Sequence, residues 1–122
     1  MSPKQIRVRF APSPTGFLHV GGLRTALFNF LWARKNKGVF ILRIEDTDKA
    51  REVSGAVENI IETLRTFKLD FDEGPTKQSD RLEIYQKHVQ ILLEKGSAYK
   101  CYCTAERINE LKNQAEAQKA PR

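Results

Sequence analysis

The sequence predicts an α/β fold built on a parallel sheet, and three stretches carry that prediction. Ile6-Arg7-Val8-Arg9-Phe10-Ala11 alternates apolar and basic side chains, the period of a strand. Val39-Phe40-Ile41-Leu42 is a short continuous run of β-forming residues, as expected of a strand buried on both faces. The segment between them repeats its apolar residues at helical spacing, so the three together read as a βαβ unit with a right-handed crossover.

Each element follows from local chemistry. The first strand is stopped by Pro12-Ser13-Pro14-Thr15-Gly16, two prolines and a glycine that make a rigid loop. After Phe17-Leu18-His19-Val20 and the pair Gly21-Gly22, a helix is expected with Leu23, Ala26, Leu27, Phe30 and Leu31 on one face and Gly38 marking its end. The second strand delivers Arg43-Ile44-Glu45-Asp46-Thr47-Asp48 to its carboxyl end, the edge at which open α/β sheets bind ligands. A second helix has Ser54 as a candidate cap and Val57, Ile60, Ile61 and Leu64 on one face. Leu69-Asp70-Phe71 reads as a short strand closed by a turn at Gly74-Pro75. A third helix starts from Asp80, carries Leu82, Tyr85, Val89, Leu92 and Leu93 at helical spacing, and ends at Gly96. Ala98 to Cys103 reads as a strand, and Thr104 opens a last helix running to about Glu116.

Length and composition set outer bounds. With 122 residues there is room for one domain with a core, and 40% hydrophobic with 30% charged residues is ordinary for a globular chain. No apolar run approaches the roughly 20 residues that span a bilayer, and no signal-like segment follows the start. A cytosolic protein is the expectation. Charge is uneven: ten Lys or Arg against three acids up to Arg51 give +7, and the remainder carries −1, for the total of +6. Basic surface of this kind attracts phosphates, on a nucleotide or on RNA, although a merely solvated surface would look the same.

The stretch from Arg9 to Arg24 has the parts needed to hold a nucleotide. Glycines let a flat base or a phosphate approach the backbone, and a helix amino end supplies unpaired N–H groups with partial positive charge. His19 can donate to phosphate oxygens as charge builds during displacement at phosphorus. The Gly-x-x-x-x-Gly-Lys phosphate loop is absent. Taken singly, His19 reads equally as a capping or packing residue, Gly21-Gly22 as a turn, Arg9 as an exposed strand residue, and Glu45 to Asp48 as a solvated turn or helix cap. Cys101 and Cys103, one residue apart, read as half of a metal site or as two small residues, and not as a disulfide.

The combination is more specific. Arg9-Phe10-Ala11-Pro12-Ser13-Pro14-Thr15-Gly16-Phe17-Leu18-His19-Val20-Gly21-Gly22 resembles the first signature of class I aminoacyl-tRNA synthetases, in the form found in bacterial-type glutamyl-tRNA synthetases. Leu23 to Asn29, Arg43 to Asp48, Asp72-Glu73-Gly74-Pro75 and Gln78-Ser79-Asp80-Arg81 continue the likeness in order. The broad class signature is His-Ile-Gly-His; here Val20 and Gly22 replace the isoleucine and the last histidine, as glutamate-type members commonly do.

The resemblance implies a Rossmann-like nucleotide-binding half-domain over 1–77, followed over 78–122 by the start of an α+β insertion that binds the tRNA acceptor end. It implies ATP-dependent activation of glutamate and transfer to tRNA, with ATP and Mg2+, glutamate and tRNA-Glu as substrates and partners, no membrane, and a monomeric whole enzyme. ATP would be held by Pro12, Thr15, Gly16, His19, Gly21 and Gly22, with His19 catalytic. Arg9 would fork onto the glutamate side-chain carboxylate, Ala11 and Ser13 would line that pocket, and Glu45 would bind the α-ammonium. Asp46 and Asp48 are left as structural. Cys101 and Cys103 would be two of the four ligands of a Zn2+ site in the complete protein. The family's second, lysine-rich signature does not occur in these residues, so the expectation is an amino-terminal portion that is inactive alone; the alternative, from another class, is a binding-only piece that self-associates through an exposed sheet edge. A paralogue that glutamylates a modified base of tRNA-Asp usually departs from Gly22-Leu23-Arg24-Thr25-Ala26-Leu27. A cytidylyltransferase-like enzyme would not explain Arg9 together with Glu45.

Overall fold

The computed structural model of the chain describes residues 5–117. It divides into two compact units, one up to Ile84 and one from Tyr85 onward.

The first unit is a three-stranded parallel sheet in the order β1-β2-β3, with two helices: β1 (Arg7–Phe10), α1 (Val20–Lys35), β2 (Val39–Ile44), α2 (Ala56–Thr66) and β3 (Glu73–Lys77). Arg7 to Phe10 pair with Val39 to Leu42 in register, as the apolar–basic alternation and the β-type run predict. Burial alternates along β2: Phe40, Leu42 and Ile44 are fully buried, while Val39, Ile41 and Arg43 are only partly covered. The buried set meets Phe10, Ala26, Ala33, Ile60, Leu64 and Leu69 in one core. Each fully buried large apolar side chain contributes about 1.5–3 kcal/mol. Phe30 meets Phe40 edge to face with centroids 5.8 Å apart, and the Arg34 guanidinium lies 4.6 Å above the Phe30 ring. Arg34 also donates to Asp72 Oδ2 at 2.8 Å, and the same oxygen accepts from the Phe40 amide at 2.7 Å. Those two bonds hold the Asp72 carboxyl below the usual range.

Several expectations are corrected. The core face of α1 is Leu23, Ala26, Phe30 and Ala33; Leu27 and Leu31 stay 40% and 52% exposed beside Phe28 and Trp32. Two alanines of zero exposure bring the helix close to the sheet, and the stripe that reaches the core is therefore narrow. The α1 end is turned by Lys37 at φ 50°; Gly38 is needed because a β-carbon there would strike the Ile6 carbonyl oxygen. Ser54 does not cap α2, whose first flanking residue is Gly55 at φ 78°.

The third strand is Glu73–Lys77 and contains Gly74-Pro75, which the sequence reading made a turn. Ile41 pairs with Glu73 and Arg43 with Thr76, so β3 spends three steps where β2 spends two. That bulge accommodates a proline, which has no N–H to give a regular ladder. Gly74 sits at φ 105° with no room for a β-carbon beside the Leu42 carbonyl. Leu69 is buried in the core without being part of a strand.

Asp80 falls inside a 3-10 turn, Ser79–Arg81, and does not cap α3 (Leu82–Glu94). Gly96, at φ 67°, ends that helix as predicted. In the second unit, Ala98 to Cys103 form no strand. A strand exists only with a neighbour to complete its ladder, and none pairs there among the described residues. Thr104 does open α4 (Ala105–Ala117), its Oγ1 accepting from the Arg107 amide at 3.3 Å. No described helix is long and apolar enough to cross a membrane.

Candidate active site at the carboxyl edge of the sheet

The loop after β1 and the loop after β2 emerge on the same edge and are tied together. The Glu45 amide donates to the Pro12 carbonyl at 2.9 Å, and the Val53 amide donates to the Pro14 carbonyl at 2.9 Å. Pro14 is fully buried, so the loop is anchored as well as stiff. On its other side the Leu18 amide donates to Asn59 Oδ1 at 3.0 Å, fastening the approach to α1 onto α2. Asn59 was not picked out from the sequence, where nothing separates it from a solvent-facing helix residue.

These ties shape a cleft of about 410 Å3 whose walls include Pro12, Ser13, Thr15, Gly16, His19 and Gly22. Six of the predicted residues thus meet in one place. Gly21 stands beside it at the start of α1, and a β-carbon on Gly21 would press on the His19 ring at 2.8 Å. The structure gives His19 two tasks. It is the N-cap of α1, and its Nδ1 accepts from the Gly21 amide at 3.1 Å. A neutral imidazole that accepts through Nδ1 carries its proton on Nε2, so the exposed end of the ring is a donor. No acidic residue lies in the first turn of α1, which leaves the positive end of the helix dipole unopposed.

Arg9, Ala11 and Glu45 do not line this cleft. Arg9 pairs in register with Ile41, and residues 41, 43 and 45 alternate with the buried 42, 44 and 46. Arg9 and Glu45 therefore belong to the sheet face turned away from the core. Arg43 Nε stands 3.9 Å from Glu45 Oε1, a long charge contact on this face. The arrangement places a guanidinium and a carboxylate on one face of the sheet, near the edge from which the two loops leave.

Of the residues set aside as structural, Asp48 accepts from Arg51 at 2.6 Å, which lowers its carboxyl pKa. Asp46 is the one buried charged side chain among the described residues, at 3% exposure. Its Oδ1 accepts from the Ser79 amide at 2.9 Å, and its Oδ2 from the Ser79 hydroxyl at 2.5 Å and Lys49 Nζ at 3.4 Å. Burial pushes the pKa up, but the Ser79 and Lys49 bonds together outweigh it and bring it to about 2.

Cys101 and Cys103 are exposed free thiols. Hydrogen bonds from Cys103 lower the Cys101 pKa, and the Cys103 thiol is raised in turn. Among the described residues no group of three or more His, Cys, Asp or Glu side chains stands together to hold a metal ion, and two thiols supply half of what a structural zinc requires.

A parallel sheet with a glycine and histidine cleft at the carboxyl end of its first strand defines a nucleotide-binding α/β domain. Comparison with known proteins narrows this. Residues 5–122 match the family described as tRNA synthetases class I (E and Q), catalytic domain, and the chain belongs to that family. It is 55% identical over 116 residues to a glutamate–tRNA ligase of Thermodesulfovibrio yellowstonii, covering 95% of this chain and 25% of that protein. It is also 55% identical over 116 residues to the mitochondrial glutamate–tRNA ligase of Saccharomyces cerevisiae, covering 22% of it. The fold superposes on a glutamate-tRNA synthetase from Elizabethkingia anophelis with a TM-score of 0.86 at 42% identity, over 96% of this chain and 25% of that one. The chain thus spans about a quarter of the length of these relatives.

Proposed function

We propose that this chain supplies the ATP-binding and glutamate-binding half of a glutamate–tRNA ligase. The observation that carries the reading is that Arg9 and Glu45 share one sheet face, while the Glu45 amide is bonded to the carbonyl of Pro12, a residue of the cleft that His19 also lines. Arg9 receives the substrate's side-chain carboxylate, Ala11 and Ser13 line its path, and Glu45 pairs with the α-ammonium. An α-carboxylate oxygen then attacks the α-phosphorus of ATP, taken as its magnesium complex, and the bond to pyrophosphate breaks. Negative charge grows on the phosphoryl oxygens, where the His19 Nε2–H and the α1 amino end are positioned to donate. Pro12, Thr15, Gly16, Gly21 and Gly22 allow the nucleotide close to the backbone. The acyl group passes to a hydroxyl of the terminal ribose of tRNA-Glu and AMP leaves.

Residues from 78 onward begin the part that meets the tRNA acceptor end, in a monomeric cytoplasmic enzyme in which Cys101 and Cys103 join two further ligands around zinc. The chain by itself charges no tRNA, and charging by pure chain would refute that. It also associates with itself, a reading favoured by the outer edge of β1 and by exposed Leu27, Phe28, Leu31 and Trp32 on α1. A mass independent of concentration in sedimentation would exclude it.

The test of the main reading is calorimetric titration with a non-hydrolysable glutamyl-adenylate analogue. Binding is expected in the natural chain and its loss in Arg9→Ala and His19→Ala. Equal binding by all three would overturn the assignment.

A further inference from the structure

Glu45 has to be aimed, and its own contacts do little of the aiming. Its side chain is 37% exposed and meets Arg43 Nε only at 3.9 Å. The residues on either side of it are held far more firmly. Ile44 is fully buried, and its carbonyl accepts from the Gln78 amide at 2.9 Å. Asp46 is buried and grips the next residue, Ser79, through both carboxylate oxygens. Consecutive residues beyond β3 are thus bound by alternate residues at the end of β2, by Ile44 through the main chain and by Asp46 through its side chain. From the other side the Glu45 amide is bound to the Pro12 carbonyl. Side chains alternate along an extended chain, so with Ile44 and Asp46 drawn inward Glu45 has to project from the opposite face.

We infer that Asp46 is a positioning residue for amino-acid recognition: its grip on Ser79 fixes the rotation of the chain at residue 45 and so directs the Glu45 carboxylate to the substrate ammonium. This rests on the reading of Glu45 proposed above. The bond geometry is suited to the task. A carboxylate that accepts from both an amide and a hydroxyl of one residue resists twisting, as a single bond would not. Loss of the grip leaves the strands paired through Arg43 and Thr76 and through Ile44 and Lys77, so the sheet survives while the loop gains freedom to turn.

The test compares two probes by calorimetry on the 122-residue chain: the glutamyl-adenylate analogue and the same molecule without its α-amino group. The natural chain should prefer the first, and Glu45→Gln should abolish the preference. Asp46→Asn should reduce the preference about tenfold, equivalent to about 1.4 kcal/mol, with affinity for the desamino probe within about twofold. Ser79→Ala removes the hydroxyl bond, keeps the amide bond, and should give a smaller loss in the same direction. In the ligand-free chain, Asp46→Ala, which leaves the Ser79 amide without its acceptor, should speed hydrogen exchange of that amide at least tenfold.

Unchanged preference in Asp46→Asn, or equal weakening of both probes, would overturn the inference and reduce Asp46 to a fold residue. Unchanged Ser79 exchange would overturn the grip itself without reference to any ligand. If the natural chain itself shows no preference while Ser79 exchange responds as expected, the assignment of Glu45 is what fails, and the inference about aiming falls with it.

Discussion

The buried Asp46 makes acid stability a direct measure of the link between the ends of β2 and β3. Its carboxyl has an ordinary pKa of 3.8 in an unfolded chain and about 2 in the folded one. At about 1.4 kcal/mol for each pH unit of separation, the ionised group stabilises the fold by about 2–3 kcal/mol. Because the folded value is the lower one, this contribution is complete above the unfolded pKa and is lost as pH falls through the folded pKa. Asp46→Asn keeps the shape and removes the charge. Urea unfolding followed by circular dichroism should find the variant about 2–3 kcal/mol less stable at pH 7, roughly half that at pH 3, and close to the natural chain at pH 2. The difference between the two curves isolates this group from the other carboxylates whose values are lowered, Asp48, Asp72, Glu73 and Glu106. A gap that stays constant from pH 7 to pH 3 would refute the reasoning, since it would mean that Asp46 is not ionised against its partners.

Leu64→Ala should cost about 2–5 kcal/mol in the same urea assay, because the side chain has no exposed surface and its removal leaves a cavity between α2 and the sheet. Gly38→Ala should cost more than the roughly 1 kcal/mol of an ordinary exposed backbone change, since the added methyl meets the Ile6 carbonyl at the first pairing of β1 with β2; Gly16→Ala, with nothing within 4 Å, should leave the midpoint in place. His19→Ala should lower stability by about 1 kcal/mol through loss of the α1 cap, and His19→Asn should recover most of it. Neither variant should bind the adenylate analogue, which separates the two tasks of one ring.

What could be read from the chain was whatever short-range chemistry decides. The Arg-Val-Arg-Phe alternation and the Val-Phe-Ile-Leu run became β1 and β2, and the Pro-Gly loop between them and α1 became the cleft. Four of the residues that line it, Pro12, Ser13, Thr15 and Gly16, lie in that loop, and His19 and Gly22 follow shortly after. The errors lie where a partner far along the chain decides. Gly74-Pro75 became strand because a bulge against Ile41 and Arg43 absorbs it, and Ala98 to Cys103 did not because no described residue pairs with it. Leu27 and Leu31 look like core residues until two alanines set how deeply α1 sits. Asp46 and Ser79 are 33 positions apart, and no local pattern links an acidic turn residue to a serine at that distance. His19 as a cap was readable; that the cap fixes which nitrogen faces outward was not.

The order β1-β2-β3 runs with the order of synthesis. Each strand joins the one made just before it, and no later strand among the described residues has to insert between two already in place. A chain growing from its amino end can therefore extend this sheet as it emerges, waiting at each step only for the helix that carries it to the next strand. The first strand made stays at the rim and keeps its outer backbone groups unclaimed by the other two.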